Sequence, residues 1–331
     1  MINTGLIKAV FYTPDNNESI KPLLPETTLT RDIQINVPHC EQYNKLVNWQ
    51  PGIVSVIHPN YLQVLTLPMQ LAMMANKPFP FKPIGLVHLA NNIEVNCLPK
   101  KNSKLTLKTS LSGLQWHNKG WVFAVLSEGI IDNKLAISGT SFYLSRQRHA
   151  SKEQLENGLY VTECSEHEKS KQKRNSYQHT MRRLMSNING FDCCDSVLFP
   201  LGIGRRYAHA SGDYNPIHLT RWTAKLMGFK QAIAHGMYSK AICLSQIMKH
   251  EMTLGQTCPS QGKMLITSQF MQPIYLPTNC ELRVSGNNEN TDLALNGISA
   301  KNKGIKEIEF SLVSKVRSKY REHLRTQIVM G

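Results

Sequence analysis

The feature that most constrains this chain is that its second part repeats the plan of its first. Four short β-rich runs, Ile93–Cys97, Leu105–Gly113, Trp121–Glu128 and Ala136–Ser145, are divided by turn residues such as Asn118-Lys119-Gly120 and Asp132-Asn133-Lys134. A like series returns at Leu265–Met271, Cys280–Gly286, Asp292–Ser299 and Ile305–Lys315. Cys97-Leu98-Pro99-Lys100 leads into a strand of the first series as Tyr275-Leu276-Pro277-Thr278 does in the second. A His-containing segment lies upstream in each, Gly85-Leu86-Val87-His88 and Ile233-Ala234-His235-Gly236. Such self-similarity points to two copies of one unit. A long helix followed by an antiparallel meander gives an α+β layer, the sheet wrapped on the helix. In the second copy the helix is expected over Met237–His250, where Met237, Ala241, Leu244 and Met248 recur at helical spacing.

The chain therefore divides into residues 1–146, a connection over 147–196, and a second unit over 197–331. Its 331 residues, 41% of them apolar, supply enough material for two cores. The connection carries Lys169, Lys171, Lys173, Arg174, Arg182 and Arg183 with no acid between the first and the last, the pattern of a solvated linker. From Leu46 to Asn76 there is no charged residue, but His58, Pro59, Asn60, Gln63, Pro68 and Gln70 interrupt it. A membrane span needs about 20 predominantly apolar residues, so the stretch reads as a core segment broken by proline. Met1–Asp15 holds no apolar run of signal-peptide length. The eight cysteines include no C-x-x-C pair, so neither a zinc site nor a disulfide framework is expected, and free thiols fit a reducing cytoplasm.

The net charge of +15 is spread over both halves. It favours anionic partners at long range without marking a nucleic-acid footprint. The basic stretches hold only Tyr177 and Tyr320 as aromatics, too few for base-stacking platforms. The base-rich stretch from Lys301 to Arg325 reads as a solvated tail.

One segment concentrates chemistry: Tyr207-Ala208-His209-Ala210-Ser211-Gly212-Asp213-Tyr214-Asn215-Pro216-Ile217-His218, followed by Ile233-Ala234-His235-Gly236-Met237. Pro216 keeps Asn215 out of a helix, so the Asp213 carboxylate and the His218 imidazole can converge from one loop as an acid/base pair. Asn215 and Ser211 can fix that loop through their side chains, and Tyr207 can reach a ligand or the loop backbone. Gly236 stands where the helix begins. There unpaired N–H groups and the helix dipole favour negative charge, and the missing Cβ lets a carbonyl approach. An acid/base pair beside an oxyanion-stabilising N–H suits proton chemistry α to a thioester carbonyl, with water added or lost at the β carbon. His235, at the start of the helix, reads as a capping or packing residue.

Ser211-Gly212-Asp213-x-Asn215-Pro216-Ile217-His218 with Ile233-Ala234-His235-Gly236-Met237 behind it resembles the MaoC-like family of (R)-specific enoyl-CoA hydratases and 3-hydroxyacyl-thioester dehydratases. The resemblance implies a double hot-dog fold, two copies of an antiparallel sheet wrapped round a central helix, with the first copy catalytically degenerate. It implies that Asp213 and His218 act on the α proton and the β hydroxyl or water, and that the Gly236 N–H binds the thioester oxygen. In the first copy, Ile57-His58-Pro59-Asn60-Tyr61-Leu62 stands where the dyad would be, with no acid between Glu41 and Glu94. The uncharged stretch, with Leu62, Leu65, Leu67, Met69, Leu71, Met73 and Met74, then offers either a long-chain acyl lining or plain core.

The sequence reading is thus a cytoplasmic hydro-lyase acting on thioesters of coenzyme A or an acyl carrier protein. It needs no metal and no cofactor, and works as a monomer of two hot-dogs or as a homodimer. Its rivals are a non-catalytic acyl-thioester binding subunit and a thioesterase on the same fold.

Overall fold

A computed structural model describes residues 22–50, 55–117, 119–146, 191–253, 263–285 and 306–331. The first copy comprises β1 (Thr28–Gln34), α1 (Val37–Leu46), α2 (Tyr61–Met74), β2 (Val87–Val95), β3 (Lys104–His117), β4 (Gly120–Ile131) and β5 (Lys134–Arg146). The second comprises β6 (Phe191–Phe199), α3 (Ile203–Ser211), α4 (Arg221–Leu226), α5 (Gly236–Thr253), β7 (Met264–Phe270), β8 (Thr278–Ser285), β9 (Lys306–Val316) and β10 (Lys319–Met330). These strands form a single sheet in the order β1-β3-β4-β5-β2-β7-β10-β9-β8-β6. The order maps onto itself when the copies are exchanged. The copies join through β2 and β7, antiparallel with Ile93 opposite Ile266, so each covers the edge the other would expose.

Hydrogen bonds fix the equivalence of the copies more closely than sequence does. Lys101 N–H donates to Ser55 O at 3.0 Å and Ile57 N–H to Pro99 O at 2.9 Å. In the second copy, Leu276 N–H donates to Ala232 O and Ala234 N–H to Ile274 O, both at 2.9 Å. Ile57 is therefore the counterpart of Ala234, and Pro99 that of Ile274. The two Leu-Pro pairs matched from sequence are displaced from each other. Likewise Ile57-His58 corresponds to Ala234-His235 rather than to the dyad loop, while Gly85–His88 leads into β2 after the helix, not before it. Four-residue likenesses carry no register, whereas ladder hydrogen bonds do.

The expected helix is α5, and its stripe of Met237, Ala241, Leu244 and Met248 is buried. Lys240, Cys243, Ser245 and Ile247, off that stripe, are buried too. The reason is tertiary: one face of α5 meets its own sheet and another meets the first copy. There His58 Nε2–H donates to Ala241 O at 3.2 Å, Asn60 Nδ2 to Met237 O at 3.3 Å, and Lys240 Nζ to Asn91 Oδ1 at 2.6 Å.

Three expectations are corrected. Helix α2 runs through Pro68 instead of breaking there. Burial of Leu62, Val64, Met69, Met73 and Met74 against the sheet outweighs the ~3 kcal/mol that an interior proline costs. The base-rich C-terminal stretch is not a tail. From Lys306 it forms β9, at the strand expected over Ile305–Lys315, and then β10, which lies between β7 and β9; Ile308, Phe310, Leu312, Leu324 and Ile328 are buried. Finally, β6 begins at Phe191, inside the segment read as linker, and a bulge between Cys193 and Asp195 interrupts the alternation that would have revealed it. The basic run Lys169–Arg183 and the expected strand Asp292–Ser299 lie outside the described residues. Among the described residues, no helix is long and apolar enough to cross a membrane.

Candidate active site

Helix α3 and the loop after it build one side of the site. Gly212, at φ 78°, ends the helix in the left-handed region, its N–H donating to Ala208 O. Three side chains then fold the loop in succession. Ser211 Oγ accepts from Asp213 N–H at 3.2 Å, Asp213 Oδ1 accepts from Asn215 N–H at 3.2 Å, and Asn215 Oδ1 accepts from Ile217 N–H at 3.4 Å. Asn215 thereby caps the 3-10 turn Pro216–His218. Asn215 and Ser211 thus hold the loop, as their residue types allow.

His218 is buried at the end of that turn. Its Nδ1 lies 2.8 Å from Ile233 O. A carbonyl only accepts, so Nδ1 carries the proton and Nε2 keeps its lone pair. Burial, with the neighbouring His235 adding to it, lowers the His218 pKa to about 3, so the ring is neutral at ordinary pH. The turn is seated against α3 by a contact sequence reasoning missed: a Cβ on Gly204 would stand 1.9 Å from the His218 carbonyl oxygen. Only glycine admits that approach.

His235, expected to cap or pack, does more. Its Nε2–H donates to the Asp213 backbone oxygen at 3.0 Å, and its ring stacks on His218 with centroids 3.7 Å apart. Burial lowers its pKa to about 4. It therefore links the Asp213 loop, the His218 ring and Gly236, the residue after it. One donor atom each from Asp213, His218 and His235 lie within 4.8 Å of one another. Face-to-face stacking sets the two imidazoles side by side rather than aiming both at one point, which suits proton handling better than a shared ion.

These groups face a cavity of about 430 Å³ between the copies. Asp213, His218, Asn215, Ser211, Tyr207 and Gly236 all line it, so the six residues singled out in the sequence meet in one place. Tyr207 is buried with its ring 4.8 Å from that of His235. Phe270 packs on the start of α5 so closely that a Cβ on Gly236 would lie 2.9 Å from its ring. The first copy contributes Gln63, Val64, Leu67, His88, Tyr143 and Arg146 to the wall. Of the apolar residues considered as an acyl lining, Leu67 alone is among the lining residues. Leu62, Met69, Met73 and Met74 belong to the core. The first copy also lacks the dyad loop as such. Its span from α1 to α2, Leu46 to Tyr61, is shorter than that from Ser211 to Gly236 and includes neither the 3-10 turn nor a counterpart of α4 among its described residues.

Residues 204–303 match the family described as MaoC like domain. The chain is 24% identical over 277 residues to 3-hydroxyacyl-thioester dehydratase X of Mycobacterium tuberculosis, covering 83% of this chain and 86% of that protein. The crystal structure of HtdX from that organism matches with a TM-score of 0.65 at 19% identity, over 91% of this chain and 99% of the other. A MaoC-like dehydratase from Phytophthora capsici matches at 0.63 and 17%, over 94% and 97%. A further M. tuberculosis protein, described as having a double hotdog fold, matches at 0.54 and 10%, over 93% and 96%. At such identities the structural likeness is one of fold. The second copy of this chain is accordingly a MaoC-like domain, set within a double hot-dog.

Proposed function

We propose that this chain is a hydro-lyase that reversibly hydrates trans-2-enoyl thioesters to (R)-3-hydroxyacyl thioesters. The observation that carries the reading is the meeting of the Asp213 carboxylate, a neutral His218 and the N-terminus of α5 in one cavity. The thioester oxygen sits at the first N–H groups of α5, at Gly236, where charge developing on an enolate is stabilised. A water between Asp213 and His218 Nε2 adds its oxygen to the β carbon. The proton it loses passes through the acid/base pair to the α carbon, and dehydration runs the same path backwards. His218 suits this role because its Nδ1–H is committed to Ile233 O, leaving Nε2 to accept.

The similarity to a 3-hydroxyacyl-thioester dehydratase supports the same reaction class. The thioester is carried on coenzyme A or an acyl carrier protein, whose anionic character suits a chain of net charge +15. The free thiols Cys40, Cys97, Cys193, Cys194, Cys243 and Cys280 are consistent with a cytoplasmic setting. The test is hydration of crotonyl-CoA, followed by loss of the enoyl absorbance. Asp213→Asn and His218→Ala are each expected to lower kcat by about 10²–10⁴-fold. Full activity in either variant would overturn the assignment.

A further inference from the structure

We infer that the wall contributed by the first copy is held shut by a buried hydrogen-bond network and restricts this site to short acyl chains. The inference rests on reading the cavity as an acyl-thioester site. Gly85, Arg146, Met271, Gln272 and Pro273 are its exposed lining residues and mark the mouth, where the carrier arm of a thioester leaves. The acyl end then lies on the buried side, toward α2 and β5, where an alkyl tail would call for an apolar surface.

That surface is mixed, Val64, Leu67, Leu86 and Val87 standing beside Gln63, His88 and Tyr143, and its polar members are tied to a buried network directly behind the wall. Gln63 and Gln70, two turns apart on α2, exchange amide hydrogen bonds: Gln63 Nε2 donates to Gln70 Oε1 at 3.0 Å and Gln70 Nε2 to Gln63 Oε1 at 3.2 Å. Gln63 Nε2 also donates to Tyr143 Oη at 3.3 Å, and Ser141 Oγ donates to Gln63 Oε1 at 3.3 Å. Gln70 further reaches Ser127 Oγ at 3.1 Å. Asn91 Nδ2 donates to Ser141 Oγ at 3.1 Å, and Lys240 Nζ to Asn91 Oδ1 at 2.6 Å, so the network is anchored on α5 itself. Gln70, Ser127, Ser141, Asn91 and Lys240 are buried. His88, stacked on Tyr143 at 4.5 Å, adds a buried Nε2 with no hydrogen-bond partner among the described residues.

A longer chain has to part α2 from β5, which breaks the Gln63 bonds to Tyr143 and Ser141 and strands buried polar groups. Each buried methylene improves affinity only about fourfold. The barrier wins until many methylenes are added, so binding stops improving at short length.

Calorimetric titration with the saturated butyryl-, hexanoyl-, octanoyl- and dodecanoyl-CoA tests this without requiring turnover. Wild-type affinity is expected to stop rising at about hexanoyl. In Gln63→Leu/Gln70→Leu, which removes both members of the amide pair, octanoyl-CoA is expected to gain at least about tenfold over butyryl-CoA. Wild-type affinity that climbs steadily through dodecanoyl would overturn the barrier, a result that does not depend on the variant folding. A folded variant with the wild-type length profile would overturn it equally. The expected binding profile without hydration of any enoyl-CoA would uphold the barrier and defeat the catalytic reading. Failure to bind any acyl-CoA would defeat both.

Discussion

Replacing Gly204 with alanine perturbs the proposed dyad without touching either member. The added Cβ would stand 1.9 Å from the His218 carbonyl oxygen, 3.0 Å from its carbonyl carbon and 3.7 Å from its Cα. Relief requires the turn Pro216–His218 and helix α3 to separate by more than about 1 Å, since non-bonded heavy atoms rest near 3.5 Å. The imidazole cannot stay in place during such a shift, because its Nδ1 is held 2.8 Å from Ile233 O and its ring is stacked on His235. A displacement of about 1 Å at a reacting group costs on the order of 10² in rate, and overpacking costs about 1–3 kcal/mol of stability. Gly204→Ala is therefore expected to remain folded with a lowered Tm and to lose about 10²-fold in kcat on crotonyl-CoA, with KM changed far less. Gly202→Ser is the control: its Cβ meets nothing within 4 Å, φ there is −82°, and serine is a better helix N-cap. Its kcat should match the wild type. Steady-state kinetics beside calorimetric melting decides the matter. A Gly204→Ala enzyme within about threefold of wild-type kcat would refute the idea that this contact seats His218.

At Gly236, valine would drive Cβ into the Phe270 ring, 2.9 Å away, and crowd the N–H proposed to bind the thioester oxygen. Its kcat should fall by about 10²-fold or more, as for loss of one oxyanion donor; an unchanged kcat would count against that site. Stability should also depend on pH, through the buried imidazoles of His58, His218 and His235 and the half-buried one of His88. His58, His88 and His218 are lowered to about 3 and His235 to about 4, in each case mainly by burial. An unfolded histidine titrates at its ordinary 6.5. Below that pH the unfolded chain binds more protons than the folded one, so stability falls as pH drops from 6.5 toward about 4. Each ring contributes up to about 1.4 kcal/mol per pH unit in that window. Urea midpoints at pH 7.5, 6 and 5, followed by circular dichroism, should decline in that order; a constant midpoint would show that the rings are not held neutral.

How much was legible in advance differs between the site and its surroundings. The loop from Ser211 to His218 folds through contacts between residues two apart, each an oxygen side chain bonding a nearby N–H. Chemistry of that range is written in residue order. The roles of Gly204 and His235 were not visible, because each depends on a group far along the chain: the His218 carbonyl for one, the His218 ring and the Asp213 carbonyl for the other. A glycine within a helix, at a position of ordinary φ, carries no local signal. Counting charges hid β10, whereas the run Ile305–Lys315 read as a strand is β9.

Local order along the chain was thus enough for the duplication, the helix at Gly236 and the six residues that line the cavity, since strand alternation, helical spacing and loop hydrogen bonds all act over a few residues. The register between the copies, the burial of α5 on more than one face and the hydrogen-bonded network behind the cavity wall were settled by packing. Gln63, Tyr143, Asn91 and Lys240 come from α2, β5, β2 and α5, and each bond among them closes a long stretch of chain. A glutamine in an uncharged helix shows no preference between core and cavity until the sheet of its own copy and the helix of the other surround it. Burial then makes its amide choose partners, because an unpaired polar group costs more there than it does in water.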